Sequence, residues 1–125
     1  MSFKFPIKIY YEDTDATGIV YHANYLKFFE RARSEYLCHE GFYHQELAKK
    51  DISFVVSKIS VDYLLPAELE QTLYVETNIK QMKRASLVFS QTLRDDKNVY
   101  CKADVVVVCI KLSTKKPTAL PQLNF

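Results

Sequence analysis

The stretch His22-Ala23-Asn24-Tyr25-Leu26-Lys27-Phe28-Phe29-Glu30-Arg31-Ala32-Arg33-Ser34-Glu35-Tyr36-Leu37-Cys38-His39-Glu40-Gly41 decides the fold. Tyr25, Phe28, Phe29, Ala32 and Tyr36 recur at steps of three and four, the spacing that lines one face of an α-helix. Lys27, Arg31, Ser34 and Glu35 fall on the other side. Gly41 stands where such a helix needs a left-handed residue to end it. The pattern predicts one long amphipathic helix over 22–40, and its apolar face must be buried against something.

The rest of the chain supplies the cover. Upstream, Ile7-Lys8-Ile9-Tyr10 alternates, so a first strand is expected over 4–11. Residues 42–50 read as a short second helix. From Ile52 the period changes to two: Val55, Ile59, Val61 and Tyr63 mark a strand that stops at Leu65-Pro66. Leu73, Val75 and Ile79 alternate with Glu76, Asn78 and Lys80, and Leu87, Phe89 and Leu93 mark the next strand. Asp95-Asp96-Lys97-Asn98 is a hairpin turn. Residues 99–112 are apolar on both faces near their centre, as a doubly covered central strand would be. The tail from Ser113, with Pro117 and Pro121, reads as irregular. Segregated elements of this kind give an α+β fold: a five-stranded antiparallel sheet wrapped around one long central helix. Its free sheet edges favour a homodimer, or a dimer of dimers.

Composition narrows the function classes. At 125 residues, 48% of them hydrophobic and 14% aromatic, the chain fills one core, read as a single domain over 1–125. A net charge of +2, with no basic stripe or aromatic motif, argues against nucleic-acid binding. The longest purely apolar run, Val105 to Ile110, is too short for a transmembrane segment. Met1 to Pro6 carries no apolar h-region or cleavage pattern, so no export is expected. Cys38, Cys101 and Cys109 have neither metal-ligand spacing nor cationic neighbours, which predicts reduced, mostly buried thiols and no metal site.

Chemistry concentrates in Tyr10-Tyr11-Glu12-Asp13-Thr14-Asp15-Ala16-Thr17-Gly18-Ile19-Val20-Tyr21-His22, just ahead of the helix. A helix N-terminus offers unpaired N–H groups to an anion or to the oxyanion of an attacked carbonyl. A carboxylate beside them can serve as general base or nucleophile. Asp13 and Asp15 can equally do no more than cap the helix and shape a turn, and their spacing leaves both readings open.

The wording of this segment resembles the signature of the 4-hydroxybenzoyl-CoA thioesterase family of the hotdog-fold superfamily. The match runs Tyr-x-Asp-Thr-Asp-x-x-Gly-x-Val-Tyr from Tyr11 to Tyr21, then Asn24-Tyr25, Phe29-Glu30 and Arg33. Glu12-Asp13-Thr14-Asp15, Val20-Tyr21-His22 and Glu30-Arg31-Ala32-Arg33 are most similar to the YbgC subgroup, acyl-CoA thioesterases associated with the Tol–Pal system. The resemblance implies that the enzyme hydrolyses fatty acyl-CoA to free acid and CoA, without a cofactor other than the CoA of its substrate. It implies Asp15 as catalytic carboxylate and the His22 backbone N–H as the donor that polarises the thioester carbonyl. It extends a catalytic role to the His22 side chain through the YbgC likeness alone.

Tyr21 is expected in the wall of the acyl pocket, although a core aromatic reads the same in sequence. Glu30 matches a family carboxylate position able to line that pocket, and Lys83 and Arg84 match those that hold the CoA phosphates, often from a neighbouring subunit. Glu30 can instead pair with Arg31 or Arg33, and Lys83-Arg84 can be plain solvated surface. Where relatives carry a third basic residue, this chain has Ala85. Asp13 is expected to organise the turn, and His39 and His44 to lie on the surface.

The same likeness suggests a cytoplasmic protein, or one peripheral at the inner membrane. It also raises an alternative, a binding module for acyl carrier protein, phospholipid-synthesis enzymes or an envelope complex. A hotdog hydratase or dehydratase ranks lower, because those enzymes pair Asp and His at a different spacing.

Overall fold

The computed structural model describes residues 2–122; the ends of the expected 1–125 domain, residue 1 and the last three of the tail, lie outside the described residues. The chain runs β1 (Phe3–Lys8), a single 3₁₀ turn (Tyr11–Asp13), α1 (Asn24–His39), α2 (His44–Lys49), β2 (Ile52–Tyr63), β3 (Thr72–Met82), β4 (Ser86–Arg94) and β5 (Val99–Lys111). The strands form one antiparallel sheet in the order β1-β3-β4-β5-β2. This is the α+β architecture expected from the helical stripe and the period-two segments.

Helix α1 buries Tyr25, Phe28, Phe29, Ala32, Arg33, Tyr36 and Leu37. These positions form one continuous stripe, which the inward rows of the sheet cover with Val75, Leu87, Phe89, Leu93, Cys101, Val105 and Val107. Gly41 (φ +89) ends the helix as expected. Its N–H donates to the Cys38 carbonyl and the N–H of Phe42 to that of Leu37, the paired bonds of a Schellman cap. Three residues with no opposite number, Ser57 in β2, Lys80 in β3 and Tyr100 in β5, shift the strand registers. Bulges of this kind add local twist, which helps the sheet curl round the helix.

Four features depart from the sequence expectations, the first being that β1 stops at Lys8 and not at residue 11, because Tyr11 already belongs to the 3₁₀ turn. The helix begins at Asn24, not at 22, because the Asn24 N–H donates to Tyr21 O (2.8 Å) and Tyr21 to Ala23 form a preceding turn. Strand β5 lies second from an edge and is covered on one face alone. Its inward row is buried, while Val106, Val108 and Ile110 stay half-buried on the outer face. The tail is not wholly irregular, since Pro117 bridges Ile110 in an antiparallel pairing.

Candidate active site

The Asp-Thr-Asp segment divides its labour between two carboxylates. Asp13 is buried, and its Oδ2 accepts the Tyr10 N–H (2.9 Å) while Oδ1 accepts the Asn24 side-chain amide (2.8 Å). It thereby ties the end of the 3₁₀ turn to the first residue of α1, the organising role expected of it. Asp15 is exposed. Its Oδ1 accepts both the N–H of Thr17 (2.8 Å) and its hydroxyl (2.5 Å), and its Oδ2 has no protein partner among the described residues. The Thr17 hydroxyl first, then the Thr17 and Ile19 backbone bonds, hold the Asp15 carboxyl below its ordinary value of 3.8. An ionised oxygen thus stands free on a carboxylate whose other oxygen is fixed.

The loop carrying Asp15 is a miniature hairpin. Asp15 N–H donates to Ile19 O (2.9 Å), Gly18 N–H to Asp15 O (3.1 Å) and Tyr21 N–H to Asp13 O (3.0 Å). Gly18 takes φ +80, a conformation that side chains with a Cβ rarely adopt. The hairpin is stitched to the β2–β3 connection: Val20 N–H donates to Ala67 O (2.8 Å) and Leu69 N–H to Gly18 O (3.1 Å).

His22 sits in the turn before α1, and its backbone N–H makes no hydrogen bond among the described residues, as an oxyanion donor requires. Its carbonyl, which belongs to the following peptide unit, accepts the Tyr63 hydroxyl at 3.0 Å and anchors the turn from the far end of β2. Its imidazole is exposed, 4.6 Å from the Tyr21 ring and 6.4 Å from the Tyr63 ring, centroid to centroid. His22 lines a cavity of about 250 Å³ whose walls are mostly apolar, among them Ile19, Tyr25, Tyr63, Leu64 and Leu65. Asp15 lines a separate hollow with Tyr11, Thr14 and Leu69. Gly18 belongs to one hollow and Ile19 and Val20 to the other, so a single chain presents the two groups side by side rather than in one closed pocket.

The remaining expected residues are dispersed. Tyr21 is exposed and lines neither hollow. Glu30 lies on the exposed side of α1 and accepts the Ser34 hydroxyl (3.1 Å). It makes no ion pair with Arg31 or Arg33 among the described residues, because Arg33 is turned inward. Glu30 and Arg33 nevertheless line one small cavity together with Ser34 and His44. His44 is exposed, as is the side chain of His39, as expected.

Lys83 and Arg84 are exposed at the tip of the β3–β4 hairpin, with no side-chain partner among the described residues. That tip and the Asp15 loop lie at opposite ends of β3, whose 11 residues span about 35 Å at ~3.3 Å each. One chain therefore does not bring these cations to its own Asp15.

Thr17, Tyr63 and Asn24 are the residues that sequence reasoning missed. Thr17 was detectable: an Asp followed two positions later by Thr is the pattern of a local side-chain-to-backbone turn. Tyr63 left no such signal, since it meets His22 across 41 positions of sequence. Among the described residues no group of three or more His, Cys, Asp or Glu side chains converges as a metal site. Nor is any helix among them long and apolar enough to cross a membrane. Burial raises the Cys101 thiol to about 12, with the charge of Asp62 adding to the effect, and it raises Cys109 as well. Neither is poised as a nucleophile.

A helix wrapped by a curled antiparallel sheet, with a carboxylate-bearing loop at the helix entry, is the hotdog arrangement of thioesterases. The chain belongs to the thioesterase-like superfamily, whose profile matches residues 10–123, and within it to the YbgC group. It is 46% identical to the acyl-CoA thioester hydrolase YbgC of Escherichia coli over 96% of this chain and 90% of that one. It is equally close to the acyl-CoA thioesterase YbgC of Haemophilus influenzae, at 46% identity over 96% and 89% of the two chains. The crystal structure of a probable thioesterase from Bartonella henselae superposes with a TM-score of 0.91 at 33% identity, covering 97% of this chain and 100% of that one.

Proposed function

We propose that the protein hydrolyses acyl-CoA thioesters, with Asp15 as the catalytic carboxylate and the His22 N–H as carbonyl donor. The observation that carries this reading is the state of Asp15: one oxygen is clamped by Thr17 and the other is free, beside a turn whose N–H is unpaired. The carbonyl oxygen accepts from His22, and the free Asp15 oxygen acts on the carbonyl carbon, directly or through a water. The C–S bond breaks, CoA leaves as a thiol, and water supplies the oxygen of the free acid. An oxyanion donor of this kind is worth ~10²–10³ in turnover. No cofactor takes part, and CoA enters as part of the substrate.

The apolar walls of the His22 cavity support an aliphatic acyl group, and Tyr21, exposed beside the His22 ring, is assigned to its rim. Glu30, which lines a cavity apart from that of His22, would meet only an acyl chain that reaches beyond the His22 cavity. The His22 imidazole stands close enough to orient a water. Lys83 and Arg84 hold the CoA phosphates of the neighbouring subunit's site, which the length of β3 supports. That arrangement needs at least a homodimer, and two such dimers can associate further. The protein works in the cytoplasm on soluble acyl-CoA, or at the inner face of the membrane.

Asp15→Asn tests the assignment, because the amide keeps the Thr17 bonds but loses the anionic oxygen. Thiol release from a fatty acyl-CoA is expected to fall by at least about a hundredfold with the fold unchanged by circular dichroism. Hydrolysis that survives in the Asn variant sinks the assignment. Survival of cellular function without hydrolysis would favour the role of an acyl-carrier or envelope-complex binding module.

A further inference from the structure

The C-terminal segment occupies a lane of the sheet. After β5 the chain turns at Lys115, which takes φ +59 and donates its N–H to Lys111 O (2.7 Å). It then runs back antiparallel to β5. Lys111 N–H donates to Lys116 O (3.0 Å), Pro117 bridges Ile110, and Thr118 N–H donates to Cys109 O (2.9 Å).

The lane it enters is the one β4 leaves open, because β4 starts only at Ser86, opposite Val108. Cys109 marks the handover: its N–H donates to Ala85 O (2.8 Å) while its carbonyl accepts from Thr118. Two residues further on, Leu120 donates its N–H to Arg84 O (2.8 Å) and packs its side chain against the core. Pro121 biases Leu120 toward the extended conformation that this pairing uses. At the root of the segment, the Asp51 carboxylate accepts both the N–H (2.9 Å) and the hydroxyl (2.6 Å) of Ser113.

What this segment grips is the tip bearing Lys83 and Arg84. Within the tip, Lys83 N–H donates to Ser86 O (2.8 Å). The next two carbonyls are taken from outside it, that of Arg84 by the tail and that of Ala85 by β5. An unsupported hairpin tip is among the first parts of a sheet to open. Two long cationic side chains on such a tip would lose affinity to the ordering that binding demands, and a fixed backbone removes part of that loss.

We propose that residues 117–120 are a strap that pre-orders the Lys83–Arg84 tip for the phosphates of CoA, with Leu120 as its positioning residue. This rests on the assignment of the two cations to CoA. The strap contacts neither Asp15 nor His22, so it acts on recognition of the nucleotide end and not on thioester cleavage. It also gives this chain a way to firm a phosphate grip in which Ala85 replaces a third cation.

The test compares one acyl group carried as its CoA thioester and as its pantetheine thioester, which lacks the nucleotide. In a chain ending at Lys116, the preference for the CoA form in kcat/KM is expected to fall about tenfold, through KM, while cleavage of the pantetheine form holds. Combining the truncation with Lys83→Ala and Arg84→Ala is expected to lower the preference no further than those two substitutions alone, as for groups acting as one unit. A truncated chain that melts with the full chain and keeps its preference overturns the strap. Where truncation costs the fold, Leu120→Ala carries the same comparison with the same two outcomes. If the Lys83→Ala, Arg84→Ala chain with its tail intact also keeps the preference, the CoA assignment is what fails. If that chain loses the preference and the tail variants keep it, the strap alone is wrong.

Discussion

Thr17 lowers the Asp15 carboxyl more than any other group does, while desolvation works in the opposite direction and no cation pairs with it among the described residues. The sign of the consequence is fixed. A carboxylate held below its ordinary value stays ionised as the pH falls past that value, and its activity is lost only on passing its own lowered one. Thr17→Val keeps the branched shape and the backbone bond while removing the hydroxyl, the largest cause of the lowering. The acid limb of the kcat/KM profile is therefore expected to move to higher pH in the Val variant. An acid limb that stays in place would show that Thr17 does not tune the reactive group. Because Asp15 is exposed, this prediction concerns activity and not stability.

At the scale of elements, α1 and the sheet are joined by a polar network as well as by apolar packing. Arg33, 7% exposed, donates from Nη1 to Gln91 Oε1 (2.9 Å). Gln91, itself fully buried, donates from Nε2 to Phe29 O (2.9 Å) and to Thr77 Oγ1 (3.0 Å). Burial disfavours the guanidinium charge, and the field of Glu30 opposes that effect in part. Removing the partner of a buried charge costs more than removing the charge itself. Gln91→Leu is thus expected to lower unfolding stability by about 2–4 kcal/mol, and Arg33→Met by less. Urea titrations of both decide it, and the reverse ranking would mean that the guanidinium is satisfied without Gln91.

The same network shows why parts of the fold were legible and others were not. The stripe Tyr25, Phe28, Phe29, Ala32 and Tyr36 announces itself through local periodicity, and Gly41 through backbone sterics. Arg33 falls at a stripe position, but its charge reads as surface because its partner Gln91 comes from β4 and is itself held by Thr77 of β3. The tail was opaque for a related reason: its ladder depends on where β4 begins, which no local pattern reports. Asp15 stood out by motif, whereas the Tyr63 bond to the His22 carbonyl required the chain to close over 41 positions.

The whole molecule has two sheet edges that are treated differently. Strand β1 is short and carries Lys4, Pro6 and Lys8, residues that discourage strand addition. Strand β2 offers 12 residues with a single lysine, and leaves Val55 and Val56 exposed. It is the edge suited to pairing with a second copy. Antiparallel pairing about a two-fold axis reverses one subunit against the other. Such a pairing would set the Lys83–Arg84 end of each on the side that carries the partner's Asp15 loop. Catalysis on CoA substrates should then depend on this edge, although no β2 side chain belongs to the Asp15 loop. Val56→Lys places a charge on the edge at an exposed site, where the isolated subunit tolerates it. Sedimentation is expected to show a shift to monomer, with melting of the subunit retained and hydrolysis of acyl-CoA lost along with the dimer. A Val56→Lys chain that is monomeric yet fully active would place the whole site within one subunit, and the two cations would then need another role.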